Sequence, residues 1–211
     1  MNQVMNQDDT KTGAVHDPEF ELVRAFQSGD TAAFDRLVLN HQDRVVNLCF
    51  WMLGDYDDAC DTAQEIFIRA MNGIKEFRFE AAFSTWLSRI AVNMCKNRLK
   101  SLEFRLRRLK IRLAGNPGNP SDGIDVPDSN PTPSEKLEKA EHRELVRKAI
   151  EKLSPGQKEA VVLRDLEGFS YEEIAAVTGM RIGTVKSRLA RGRQTLLEIF
   201  RSMPGYGMSK S

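Results

Sequence analysis

The chain has 211 residues, 41% hydrophobic and 29% charged, which suits one or two small packed domains and excludes a wholly disordered protein. Lys and Arg number 31 against 30 Asp and Glu, a formal charge of +1, so only the distribution of charge can point to a nucleic-acid or membrane partner. No apolar run approaches the roughly 18 to 20 residues that cross a bilayer, and the opening MNQVMNQDDTKTGAVHD lacks a basic-then-apolar signal pattern, so a cytoplasmic protein without membrane insertion is expected.

Residues 1–16 read as a disordered tail. The first domain is expected over 17–112. Within it, Asp55, Asp57, Asp58, Asp61 and Glu65 face no base between positions 55 and 65. The helix expected from Asp57 to Ile74 buries Ala59, Ala63, Ile66, Ala70 and Ile74 and turns out a stripe of Asp58, Asp61, Glu65, Ile68 and Asn72, with Gln64 alongside. An acidic face repels DNA, and an exposed Ile among carboxylates suggests a protein partner more than a merely solvated surface. Cys49, Cys60 and Cys95 are an odd number without a CxxC pair, and His16, His41 and His142 are far apart. Neither a disulfide framework nor a zinc site follows, and no cofactor is expected. The cysteines read as small buried helical residues, with redox sensing as the alternative.

A loop from Phe77 leads into a helix over 83–100, whose stripe Phe83, Leu87, Ile90 and Met94 faces the core. Its other side presents Arg89, Asn93, Lys96 and Lys100, with Trp86 and Asn97 beside them. Aromatic rings next to amides and bases are what an unpaired strand requires: stacking, base-edge hydrogen bonds and charge neutralisation. An ordinary amphipathic helix with a core tryptophan remains the alternative. Eight bases and one acid lie between Lys96 and Arg112.

Residues 113–134 hold Pro117, Pro120, Pro127, Pro131 and Pro133 with Asp122, Asp125 and Asp128 and no base. That composition predicts a flexible acidic linker. The second domain is expected over 135–203, followed by a tail at 204–211. Its first helix carries Leu145, Val146, Ala149, Ile150 and Leu153 on one face. Ser170 and Glu173 then form a capping box, Ile174, Ala175 and Val177 supply an apolar face, and Thr178-Gly179 ends the helix. A second helix starts near Gly183-Thr184, turns Val185, Leu189, Leu196 and Ile199 inward, and shows Thr184, Ser187, Arg188 and Arg191 outward. Two helices joined by a tight glycine turn, the second basic outside, form a helix-turn-helix suited to a DNA major groove. The fold class is all-α, two small helical domains joined by the linker.

The segment FSYEEIAAVTGMRIGTVKSR resembles region 4 of extracytoplasmic-function (ECF) sigma factors of bacterial RNA polymerase, in which LSYEEIA…GTVKSR is characteristic, and LSPGQKEAVVLRDLEG resembles the segment before it. The resemblance implies that Thr184, Lys186, Ser187, Arg188 and Arg191 contact a promoter minus 35 element. FRFEAAFSTWLSRIAVNMCKNRLK resembles region 2, which melts and reads the minus 10 element, although Phe79 stands where glycine is usual and Ala81-Ala82 where polar residues are. By position, Arg78, Ala81, Ala82 and Phe83 would line a flipped-base pocket beside Trp86 and Arg89. Asn93 would contact a base, and Lys96, Asn97 and Arg98 would hold phosphates. DACDTAQEIFIRA resembles the polymerase-binding segment, which assigns Asp58, Asp61, Gln64, Glu65 and Ile68 to the clamp coiled coil of core polymerase, with Phe67 more suited to the core.

The implied function is a promoter-specificity subunit with no catalytic residues, metal or small-molecule substrate. Its implied partners are core RNA polymerase, through clamp and flap, promoter DNA and an anti-sigma factor, often membrane-bound. Two rivals are a stand-alone helix-turn-helix regulator and an enzyme holding a metal at Asp57, Asp58, Asp61 and Glu65. The cluster lacks histidines, and a solvated helix face explains it more simply.

Overall fold

The computed structural model describes residues 19–112 and 133–202, with side chains for 19–101 and 142–202. Helix α1 (Glu19–Gln27) leads to α2 (Thr31–Leu53), α3 (Tyr56–Gly73), a 3-10 turn (Ile74–Glu76) and α4 (Phe83–Arg112). The second half runs through α5 (Pro133–Glu151), α6 (Pro155–Val161), a π-helical turn (Val162–Leu166), α7 (Tyr171–Thr178) and α8 (Ile182–Ser202). Among the described residues there is no strand, as the apolar spacing predicts. The expected tails at 1–16 and 204–211 and nearly all of the linker lie outside the described residues.

Local chemistry sets the helix ends. Asp30 caps α2 by accepting from the Ala32 N–H at 3.0 Å, and Asp55 caps α3 by accepting from the Asp58 N–H at 2.8 Å. Between them Gly54 stops α2 with φ +86°, its N–H donating to the Phe50 carbonyl at 2.8 Å. In α4 the buried line is Phe83, Leu87, Ala91 and Cys95, joined by Val92, while Ile90 and Met94 are only half-buried. The core stripe therefore sits slightly round the helix from its expected place, because α4 packs against α2 and α3 on one side and α7 on the other.

In the second half, α5 starts at Pro133, just before the expected end of the linker. Val146, Ala149, Ile150 and Leu153 turn inward, but Leu145 is 39% exposed and does not belong to the core stripe. Five apolar residues within nine positions span more arc than one contact can cover, and Leu145 lies at its edge. The capping box at α7 forms as read: the Glu173 N–H donates to Ser170 Oγ at 3.1 Å and the Ser170 N–H to Glu173 Oε2 at 2.7 Å. Gly179, at φ +72°, makes the turn into α8, which begins one residue earlier than expected.

The two halves touch. One apolar cluster runs from Val23, Leu48 and Leu87 through Cys49 and Cys95 to Val162, Leu163, Phe169, Ile174 and Val177. Around it, Arg44 Nε lies 3.3 Å from Glu167 Oε2, its Nη2 donates to the Glu167 carbonyl at 3.2 Å, and its guanidinium stands 4.6 Å over the Phe169 ring. Lys96 pairs with the buried Glu159, and Arg147 Nη1 donates to the Gly54 carbonyl at 3.3 Å. Cys49 and Cys95 are buried free thiols 3.6 Å apart, and their mutual hydrogen bond and burial push the Cys49 thiol up. That environment suppresses the Cys49 thiolate.

Candidate nucleic-acid and polymerase interfaces

Three surfaces emerge, each set by different elements. The first is α8, held against α6 and α7 by Val185 and Leu189 and by Gly192, whose absent side chain leaves room for Val161. Lys186 and Arg191 are exposed on its outer side, while Thr184, Ser187 and Arg188 are half-buried. Ser187 Oγ donates to the Thr184 carbonyl at 3.0 Å, and Lys186 Nζ stands 5.6 Å from the Tyr171 ring centroid. Arg188 folds back so that its Nη1 is 2.8 Å from Met180 Sδ and its guanidinium covers Gly156. Thioether sulfur is a weak acceptor, so little holds that arginine from swinging outward. A helix of this length and charge, offered by a capped partner helix, fits a major groove and its phosphates.

The second surface is the loop after Phe77 and the start of α4. A cleft of about 270 Å³ is lined by Glu76, Phe77, Arg78, Glu80, Ala81, Thr85, Trp86 and Arg89. A second, of about 140 Å³, lies along Arg69, Trp86, Arg89, Ile90, Asn93, Met94 and Asn97. Trp86 and Arg89 form the wall between them, so an apolar ring and a cation face both clefts, as stacking and phosphate contact require. Trp86 is itself packed edge-on against Phe77 at 5.5 Å. Phe83, expected in this pocket, is 1% exposed and lines neither cleft; it packs in the core behind Phe77 and Trp86. Ala82 is half-buried and Ala81 exposed, which keeps the rim low. Arg69 and Thr85 also belong to these clefts, outside the expected set; Arg69 is the one base of an otherwise acidic α3, the pattern by which it stands out in the sequence.

Lys96, Asn97 and Arg98 do not act as one group. Asn97 stays with the cleft, Lys96 is engaged by Glu159 of the second half, and Arg98 points the other way. Its Nη2 donates to Asp58 Oδ1 at 2.7 Å and its Nη1 lies 3.7 Å from Glu65 Oε1. The opposite sides of one helix explain this: consecutive residues are about 100° apart, so three in a row cannot share a phosphate. The second half also supplies Ala176 to the lining of the first cleft.

The third surface is the outward side of α3. Asp61, Gln64 and Glu65 are exposed, Ile68 is 58% exposed with Met71 exposed beyond it, and Asp58 is half-covered by Arg98. Phe67 is half-buried against the core. No three metal-capable side chains converge among the described residues.

Known proteins align with this arrangement. The sequence profile of sigma-70 region 2 matches residues 37–105, and that of sigma-70 region 4 matches 143–196, so the clefts and the acidic surface fall in one and the helix-turn-helix in the other. An ECF RNA polymerase sigma-E factor of Haemophilus influenzae is 39% identical over 175 residues, 83% of this chain and 91% of that one. The chain belongs to the ECF sigma factors. The RNA polymerase sigma-H factor of Pseudomonas aeruginosa is 35% identical over 176 residues, covering 83% of this chain and 90% of the other. The ECF RNA polymerase sigma factor SigE of Mycolicibacterium smegmatis is 38% identical over 172 residues, but the chain spans only 63% of its length. Among solved structures, the sigma factor RpoE in complex with the anti-sigma factor NepR from Bartonella quintana has a TM-score of 0.60 at 25% identity, covering 80% of this chain and 97% of the other. CnrH in complex with the cytosolic domain of CnrY shares the fold at TM-score 0.62 and 24% identity, covering 87% of this chain and 97% of that one. The sigma-factor family consists of transcription initiation factors without enzymatic activity, and no helix among the described residues is long and apolar enough to cross a membrane.

Proposed function

We propose that the chain recruits core RNA polymerase to its own set of promoters: α8 reads the minus 35 duplex, the Trp86–Arg89 clefts capture the melted minus 10 strand, and the acidic outer side of α3 docks on core. The observation that carries this reading is the coexistence, in one chain of the ECF family, of a capped helix-turn-helix with exposed Lys186 and Arg191 and a separate aromatic and cationic cleft at Trp86 and Arg89. A duplex reader alone has no use for the second. The place of Thr184, Lys186, Ser187, Arg188 and Arg191 along α8 supports their roles at minus 35. Arg78, Ala81, Arg89, Asn93 and Asn97 serve the strand directly, Ala82 and Phe83 shape its pocket, and Lys96 becomes available for phosphate once Glu159 leaves it. Asp61, Gln64, Glu65 and Ile68 form the core-binding surface, with Arg98 and Asp58 as its internal brace.

The protein acts in the cytoplasm, without chemistry of its own, and is held inactive by an anti-sigma factor until a stress signal releases it. Incubating it with core polymerase lacking sigma subunits, on a library of genomic fragments, tests the reading. Transcripts starting downstream of a shared upstream motif support it. No core association, with tight duplex binding by the chain alone, would instead establish a stand-alone regulator.

A further inference from the structure

Among the described residues, Phe79 is the one non-glycine with a positive φ, +59°. An L side chain there crowds its β-carbon against the following carbonyl, so the conformation persists only when surrounding contacts impose it. Contacts of the ring and of the loop backbone supply that restraint. The Phe79 ring meets Phe20 edge-on at 5.1 Å and Phe77 at 5.0 Å, and the Arg24 guanidinium lies 5.2 Å from its centroid. Gln27 Nε2 donates to the carbonyls of Ile74 at 2.9 Å and Phe77 at 3.2 Å.

Phe20, Arg24 and Gln27 stand at i, i+4 and i+7, one face of α1. A helix with no place in either cleft therefore grips the loop at both its start and its middle. The grip also passes onward, because Phe77 touches Trp86 at 5.5 Å and Phe83 at 6.1 Å. Rings run in contact from α1 to the wall of the cleft.

We propose that Phe79 is a positioning residue for strand capture: docked on the Phe20–Arg24–Gln27 face of α1, it holds the 77–82 loop, and with it Arg78 and Ala81, in the shape that receives the unpaired strand. This rests on the reading that the Trp86–Arg89 clefts take the melted minus 10 segment. The α1 face works by preorganisation, since a loop already ordered loses less entropy on binding than a mobile one.

The test uses holoenzyme assembled from core polymerase and a promoter fragment that the wild-type holoenzyme has selected from a random-sequence library, prepared with its minus 10 segment pre-melted. Four single variants are compared, Phe79→Tyr, Phe79→Gly, Phe79→Asn and Phe20→Ala, along with the Phe20→Ala/Phe79→Gly double variant. Gly and Asn both accept the left-handed backbone but lack the ring, whereas Tyr keeps it. Phe79→Gly and Phe79→Asn are expected to weaken binding of the bubble template about tenfold, the factor expected for loss of two ring contacts. Phe79→Tyr restores wild-type affinity, Phe20→Ala weakens binding in the same direction, and the double variant is no worse than Phe79→Gly alone. Core affinity and binding of a minus 35 duplex stay unchanged, and deuterium uptake rises in residues 77–82.

A purely structural role would lower the melting temperature without separating bubble from duplex binding, and that outcome overturns the proposal. So does a glycine variant that binds the bubble as well as or better than wild type. Should the Phe79 variants fail to fold, Phe20→Ala, whose loop backbone is unaltered in sequence, decides by the same split. If wild-type holoenzyme itself fails to distinguish the selected bubble from a scrambled one, the functional reading of the clefts falls; if it distinguishes them and Phe79→Gly binds the selected bubble as tightly as wild type, only the positioning claim falls.

Discussion

Arg188 shows how much one side chain can reveal of its task. It rests against a thioether and the bare backbone of Gly156 on the helix proposed to enter the groove, and a thioether is a weak acceptor to leave. Replacing it by Ala is predicted to weaken minus 35 duplex binding by about 1 to 3 kcal/mol, the range for one base-reading pair, with core affinity unchanged in a pull-down. Gly192 makes a contrasting case. A β-carbon there would meet Val161 Cγ2 at 2.8 Å, and Gly192→Ala is expected to lower stability in urea unfolding by about 1 to 3 kcal/mol through overpacking of α6 on α8. What the sequence could show at this scale was residue type and helical face. Arg191 lies exposed where the spacing put it, Lys186 is exposed as the resemblance implies, and Phe83 is in the core as its stripe predicts, but Ile90 and Met94 are only half-buried and Arg98 turns to Asp58 and Glu65. Those outcomes depend on which helix packs beside α4, and no local pattern contains that.

One helix start is legible from its capping side chains, that of α7, while the Asp30 cap of α2 and the Ser154–Gln157 box of α6 carry the same kind of signal without having pointed to those helices. Ser170 with Glu173 marks α7 because the reciprocal hydrogen bonds need only residues three apart. Ser170→Ala should lower stability by about 1 kcal/mol, read by urea denaturation. Helices α1 and α6, nine and seven residues long, are too short for a periodic stripe to stand out, and their place is set by partners distant in sequence. Helix α3 was legible on both its faces, since Ala59, Ala63, Ile66 and Ala70 repeat at helical spacing on one and acids mark the other over its first half. Its outer side makes the sharpest element-scale prediction: Asp61→Lys with Glu65→Lys abolishes association with core polymerase while leaving duplex binding by α8 intact. Loss of both in the same variant would mean that the surfaces are not separate.

At the scale of the whole molecule, the sequence divides the chain into two halves but says nothing of the seam between them. Neither Arg44 nor Glu167 carries a local pattern, and their pairing across more than a hundred residues is visible only in the fold. The seam lays Glu159 on Lys96 and brings Ala176 to the lining of the first cleft, so under the proposed function the halves would part for Lys96 to reach a strand. Glu159→Gln combined with Arg44→Ala should therefore shift the chain toward an extended form, seen as a larger radius of gyration in solution scattering.

Acidity should act in the opposite sense. Burial raises the Glu167 carboxyl, against the pull of Arg44. An acid whose pKa is raised on closure stabilises the closed form below its ordinary pKa and loses that contribution as pH rises through the raised value. Lowering the pH from about 7.5 toward about 5 is thus expected to favour closure, and Glu167→Gln to flatten that dependence in an energy-transfer assay between the halves. Glu144 works in a separate window. Its hydrogen bond from Arg147 lowers it to about 2, so its contribution, small at an exposed site, is present above the ordinary carboxylate pKa and fades as pH falls toward about 2.

The division of labour among the three surfaces can be read directly by placing a photo-crosslinker at position 78 in one sample and at position 191 in another, then mapping adducts on a promoter with and without core polymerase. The account predicts that position 191 marks the upstream duplex, and that position 78 marks one strand of the melted segment only when core is present. Adducts from both positions to duplex DNA, unaffected by core, would contradict it.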